Sequence, residues 1–174
     1  KAITTDKVRA FPGGTGWIKC NANYVVPIQK KKEAEAAGYM EAIFLDAYEK
    51  TYLEEGSSCN IFVLLNNDTL VTPDLSDTIL PGINRASVLT IAQDMGIRTE
   101  ERRISIHEAL EDGKEVFVTG TAAGVAHIES ITHNGKTKVY AGGNIGETTL
   151  ELQKKLKGIQ YGVEEDRHGW LVPV

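Results

Sequence analysis

The chain has 174 residues, 41% of them hydrophobic, which is the size and composition of one domain around a single core. Nineteen Lys and Arg against 24 Asp and Glu leave a net charge of −5, which argues against a nucleic-acid groove that must neutralise phosphates. No apolar run approaches the roughly 20 residues of a membrane-spanning helix and no hydrophobic targeting segment opens the sequence, so no membrane association is expected.

In chain order, Asn21 to Gly38 predicts a helix stopped by the glycine and interrupted near Pro27. Short extended stretches follow at Glu41–Ala47, Thr51–Glu55, Asn60–Leu65 and Thr69–Thr72, joined by turn-rich residues. Ile83 to Met95 places Ile83, Ala86, Val88, Leu89, Ile91 and Ala92 on a broad helical face between Pro81-Gly82 and Gly96. Ile97–Ile104 reads as extended, and Ser105 with Glu108 forms a capping box for a short helix. Glu115–Thr119 reads as a strand running into the small-residue loop 120–124. Val125 to Tyr140 alternates as a hairpin around Asn134-Gly135, and Gly146–Tyr161 is a final amphipathic helix. The fold class expected is mixed α/β, of the α+β kind.

The two cysteines, Cys20 and Cys59, have no CxxC partner, which predicts free thiols and a reducing, intracellular, cytoplasmic setting, an organelle remaining open. The histidines at 107, 127, 133 and 168 lack ligand spacing, so no metal is expected.

Four stretches could carry chemistry. Gly13-Gly14-Thr15-Gly16 leads to Lys19, but neither a dinucleotide fingerprint nor a P-loop is completed there. A Lys after an apolar pair can point inward and become a nucleophilic amine by desolvation; a surface Lys after a turn is the plainer alternative. Glu54-Glu55-Gly56-Ser57-Ser58 suits a polar pocket wall whose carboxylate could hold a protonated ring nitrogen, or a solvated hairpin tip. Leu80-Pro81-Gly82-Ile83-Asn84-Arg85 opens a helix whose free N–H groups favour an anion. Thr119-Gly120-Thr121-Ala122 could hold a phosphate or carboxylate, or be a tight turn. A nucleophilic Lys, a Glu for a cationic ring nitrogen and two anion sites are together the parts needed to bind pyridoxal 5′-phosphate as a Schiff base.

The run Glu55-Gly-Ser-Ser-Cys-Asn60-Ile-Phe62, then Leu70-Val-Thr72, then Leu80-Pro-Gly82-Ile-Asn-Arg85 resembles the signature of the class IV aminotransferases, pyridoxal-phosphate enzymes of fold type IV. Within them, Arg9-Ala-Phe-Pro-Gly-Gly-Thr-Gly16, Lys19 with Asn23-Tyr24, Gly120-Thr-Ala122, and Ile159-Gln-Tyr-Gly162 with Trp170-Leu-Val-Pro-Val174 resemble the branched-chain amino-acid group. The likeness implies the large cofactor-binding domain of the D-amino-acid aminotransferase-like fold, with Lys19 as the Schiff-base residue and proton shuttle. It further implies Tyr24 on the cofactor's phenolic oxygen, Glu55 on its ring nitrogen, and Ile83, Asn84 and Thr121 on its phosphate. Ser58 and the Ala122 amide, with Tyr24 nearby, would meet the substrate. The implied reaction is amino transfer from leucine, isoleucine or valine to 2-oxoglutarate in a homodimer, with amino acids and 2-oxo acids as the only other partners.

Trp17 stands where the family carries Asp or Asn, Asn21-Ala22 where it carries small residues, and Ala123 and Ala126 where some members have a redox CxxC. Members also carry a smaller N-terminal domain that supplies an arginine to the phosphate. Residues 1–174, which begin with Lys, are therefore expected to be the C-terminal large domain alone and, isolated, to be poorly active. D-amino-acid transamination, aminodeoxychorismate lysis and a non-catalytic assembly role are the alternatives.

Overall fold

The computed structural model describes residues 1–172; Pro173 and Val174, which end the C-terminal motif, lie outside the described residues. The elements are β1 (Ala2–Thr4), a 3-10 turn (Asn21–Tyr24), α1 (Val25–Ala36), β2 (Glu41–Leu45), β3 (Leu53–Gly56), β4 (Asn60–Leu65) and β5 (Thr69–Thr72). They continue with α2 (Ile83–Asp94), β6 (Arg98–Glu101), α3 (Ile106–Asp112), β7 (Gly113–Gly120), β8 (Gly124–His127), β9 (Ser130–His133), β10 (Lys136–Val139) and α4 (Glu147–Gln160).

All ten strands belong to one sheet, in the order β10-β9-β1-β2-β3-β4-β5-β6, with β7 joining β4 to β8. β7 pairs with β4 along its whole length, from Asn60↔Thr119 to Leu65↔Gly113. A strand has two edges, so β3 and β5 must share the other: β3 meets β4 at Asn60, and β5 meets it at Val63 and Leu64. The sheet therefore forks at β4. β1 runs parallel to both β2 and β9, and β5 and β6 are parallel strands connected through α2.

β4 is buried throughout, and its period-two alternation divides the hydrophobic interior. Ile61, Val63 and Leu65 join Val116, Val118 and Ile106 of α3 on one face. Phe62 and Leu64 join Phe117, Val88 and Leu89 of α2, and Leu152 and Leu156 of α4 on the other. Phe62 stacks on Phe117 with centroids 4.9 Å apart. A smaller cluster of Ala34, Ala42 and Phe44 fixes α1 on β2.

Pro27 falls in the first turn of α1, where its missing N–H costs nothing, and the interruption takes the form of the 3-10 turn just ahead of it. The capping box of α3 is half made. Ser105 Oγ accepts from the Glu108 amide at 2.9 Å, but the Glu108 carboxylate turns to Arg102, 2.6 Å away. The predicted Val125–Tyr140 hairpin needs correction: the Asn134-Gly135 turn, with φ of 48° and 78°, joins only β9 and β10. β8 folds back on β7, while β9 pairs with β1, a strand that the sequence reading did not anticipate. No helix among the described residues is long and apolar enough to cross a membrane.

Candidate active site

One cleft is bounded by the ends of several elements. Arg9, Lys19, Tyr24, Glu55, the Ser57–Cys59 turn, Asn60, Gly82 to Arg85 and Thr119 to Thr121 all line it.

The loop carrying Lys19 is shaped by Asn23. Its buried amide donates to Thr15 O at 2.6 Å and to Ile18 O at 2.7 Å, and its Oδ1 accepts from Thr15 Oγ1 at 3.1 Å. Gly16 is wedged against Ala10 and Thr78, where a Cβ would lie 2.6 Å from either. Lys19 leaves this loop and donates from Nζ to Tyr24 Oη at 2.9 Å. The amine is exposed at the cleft mouth, so the desolvation expected of an inward Lys is not supplied by the residues of this chain.

Glu55 sits on β3, buried, with the Arg9 guanidinium against Oε2. Its Oε1 accepts from Asn60 Nδ2 at 2.8 Å and from the Leu80 amide at 3.0 Å. Burial pushes the carboxyl up to about 8, against the pull of the Arg9 charge and the Leu80 amide. Arg9 also donates to Gly16 O and Thr78 O at 3.0 and 2.7 Å, tying the glycine loop to the segment before α2.

α2 begins at Ile83 with Gly82 in the N-cap position and no side chain capping it, which leaves its first amides to whatever lies in front. A Cβ on Gly82 would overlap the Asn60 side chain. Asn84 Nδ2 donates to Gly120 O at 2.8 Å and holds the helix start to the Gly120-Thr121 loop. Thr119, pairing in register with Asn60, has a hydroxyl that is fully buried without a hydrogen-bond partner among the described residues.

The amino-transferase class IV sequence model matches residues 11–131. The chain belongs to the class IV aminotransferase family. Its relatives include branched-chain-amino-acid aminotransferase 3, chloroplastic, of Arabidopsis thaliana, 42% identical over 164 residues covering 94% of this chain and 39% of that protein. The branched-chain-amino-acid aminotransferase of Mycobacterium tuberculosis is 41% identical, covering 97% and 48%. Among solved structures, the Escherichia coli branched-chain amino acid aminotransferase matches with a TM-score of 0.86 at 32% identity, covering 97% of this chain and 53% of its own. The T.th. branched-chain amino acid aminotransferase, complexed with N-(5′-phosphopyridoxyl)-L-glutamate, gives 0.86 at 33%, covering 99% and 55%. The fold is therefore the fold type IV aminotransferase fold, and the chain spans about half or less of the relatives it matches.

Of the residues that this class IV chain was expected to use, Lys19, Tyr24, Glu55, Ser58, Ile83, Asn84 and Thr121 all line the one cleft. Ala122 does not; it is exposed on the same loop, next to Thr121. Sequence reasoning missed Arg9, Asn60, Arg85 and Thr119 as parts of the wall. Arg9 and Asn60 lie inside quoted motifs, but nothing local tells that both converge on Glu55. Trp17 is half-exposed and, with Leu75, Ile79 and Pro81, borders a shallow depression distinct from the cleft.

Proposed function

We propose that this chain is the large, C-terminal domain of a pyridoxal-phosphate enzyme that transfers the amino group of leucine, isoleucine or valine to 2-oxoglutarate. The observation that carries the reading is the meeting, in one cleft, of the Lys19–Tyr24 pair, the buried Glu55 carboxyl and an uncapped helix start. The names of its relatives support the branched-chain donor over the D-amino-acid and aminodeoxychorismate alternatives.

The residues present fit the cofactor. The orphaned Thr119 hydroxyl and the uncapped start of α2 offer polar groups that this chain does not itself satisfy. The group supplies, when bound, a carbonyl that condenses with primary amines and a ring that draws electron density from the substrate Cα. Lys19 Nζ would bind that carbonyl and, displaced by the donor's amino group, move the proton at the substrate Cα. Tyr24, whose Oη accepts a hydrogen bond from Lys19 Nζ at 2.9 Å, would keep the amine aimed. Glu55 would hold a proton at the ring nitrogen. Burial disfavours its charged form even beside the Arg9 guanidinium, and a cationic nitrogen alongside would favour that form, so each would stabilise the other. Ile83 and Asn84 amides with Thr121 would bind the phosphate, and Ser58 with the Ala122 amide the substrate carboxylate. Homodimerisation and an intracellular, cytoplasmic location complete the reading, in keeping with two free thiols.

Adding pyridoxal phosphate should give a long-wavelength absorption band that borohydride reduction converts into a stable adduct at Lys19. Lys19→Ala should lose both the band and, in the intact enzyme, at least about 10²-fold of the turnover. The same spectrum in wild type and variant would remove Lys19 from its role. Amino-donor screening with L-leucine, D-alanine and aminodeoxychorismate separates the substrate classes.

A further inference from the structure

The Ser57–Cys59 turn between β3 and β4 forms part of the cleft wall, and its two shoulders are held by one distant side chain. Glu41 opens β2, and its carboxyl group is buried. Its Oε1 accepts from the Ser57 amide at 2.9 Å and from the Ser57 hydroxyl. Its Oε2 accepts from Cys59 Sγ at 3.6 Å and faces Lys31 Nζ of α1 at 3.7 Å. The turn is closed by Gly56 N donating to Cys59 O at 2.8 Å, and there is no space at Gly56 for a Cβ between Cys59 Sγ and Glu41. Between the two tethered residues, Ser58 alone is exposed, and it lines the cleft. Behind it the turn rests on Gly120, whose Cβ position would lie 3.5 Å from Ser58 O.

We propose that Glu41 is a positioning residue for substrate binding: its carboxylate grips both shoulders of the turn and thereby fixes the Ser58 hydroxyl toward the substrate's carboxylate. Through Lys31 the same carboxylate ties the turn to α1, the helix whose N-terminal end carries Tyr24, so two walls of the cleft share one anchor. This is an unusual use of a buried charge. A carboxylate desolvated inside the sheet, on a strand paired on both sides, is tolerated because three donors of the turn and Lys31 of α1 compensate it, and removing it leaves those donors without a partner. The inference rests on the transaminase reading above, since it assigns Ser58 the carboxylate of an amino acid.

The test uses Glu41→Ala, Glu41→Gln, Ser58→Ala and the Glu41→Ala/Ser58→Ala pair in the intact enzyme. Loss of a hydrogen bond to a charged group predicts a KM for the amino donor raised about tenfold in Glu41→Ala and in Ser58→Ala, with the double variant no worse than either. Affinity for pyridoxal phosphate, read from the absorption band, should stay at the wild-type value in Glu41→Ala. Glu41→Gln keeps an acceptor for Ser57 and should restore most of the donor affinity; it also serves if the alanine variant does not fold.

A second readout needs no cofactor. In a Cys20→Ser background, Cys59 should be alkylated several-fold faster in Glu41→Gln than in the parent, because the thiol loses its acceptor, and faster still in Glu41→Ala, where the turn loses its hold as well. Unchanged KM and unchanged Cys59 alkylation overturn the proposal, as do fully additive effects with Ser58→Ala or a parallel loss of cofactor affinity. If the parent enzyme itself forms no Lys19 adduct, the transaminase reading is what fails, and the Cys59 rates alone decide whether Glu41 holds the turn.

Discussion

Glu115 and Glu55 flank the same strand, β4, and both are buried, yet they are used in opposite ways. Glu115, on β7, fills the N-terminus of α4: Oε1 accepts from the Thr148 amide at 3.2 Å, and Oε2 from the Thr149 amide and hydroxyl at 2.8 and 2.7 Å. Gly146 precedes that helix because a side chain there would run into the carboxylate. Every oxygen is occupied from within the chain. The oxygens of Glu55 are also met, by Arg9, Asn60 and the Leu80 amide, but groups around it are not. Of the four buried side-chain polar atoms without a partner among the described residues, three belong to Arg9, Arg85 and Thr119, which share its cleft. Buried polar groups in a settled interior are paired, so a local excess of unpaired ones marks a place arranged for something else.

The contrast can be broken most forcefully at Glu115. Glu115→Ala leaves two helix amides and a buried hydroxyl unpaired and should cost about 2 to 3 kcal/mol in urea denaturation, while the cofactor band is retained. A loss under about 0.5 kcal/mol would mean that the cap is dispensable.

The next test is pH. Asp46 accepts from the amides of Tyr48, Glu49, Thr51 and Tyr52, and although burial alone would raise its pKa, these bonds hold it below the ordinary value of 3.8. Its contribution to stability is complete above that value and is lost as pH falls through the lower folded pKa. Glu55, raised from 4.5 to about 8, behaves in the reverse sense. It is free of cost below 4.5, and its cost grows as pH rises toward 8. Cofactor-free protein should therefore show a carboxyl infrared band, absent in Glu55→Gln, that titrates near 8; titration at or below 4.5 would place Glu55 in the same class as Asp46.

The smallest effect on stability is expected at Thr119. Thr119→Val removes a hydroxyl that bonds to nothing, so the cofactor-free protein should change by no more than about 0.5 kcal/mol. Affinity for pyridoxal phosphate, by absorption titration, should fall about three- to tenfold. Equal affinity in both proteins would show that the orphaned group is a packing accident.

What the sequence disclosed divides along the same line. Elements with local punctuation were legible: Gly96 after α2, Ser105 before α3 and the apolar stripe of α4 each act within a few residues. The hairpin was misread because alternation reports burial and not the partner strand, so Val125 to Tyr140 could not reveal that β8 and β9 diverge to different neighbours. The site residues were legible only through motif likeness, whereas Arg9, Asn60, Glu41 and Glu115 act on partners far along the chain. Glu41 looks from sequence like any strand-opening glutamate, and only the fold brings Ser57, Cys59 and Lys31 to it.

The forked pairing of β4 also dictates when the cleft can exist. Asn60 faces Glu55 on one side and Thr119 on the other, and the second of these partners is made long after the first during synthesis. A nascent chain therefore lacks this cleft until β7 has emerged and closed on β4, and a ligand that enters it can select only molecules that have finished the slow, long-range part of their folding.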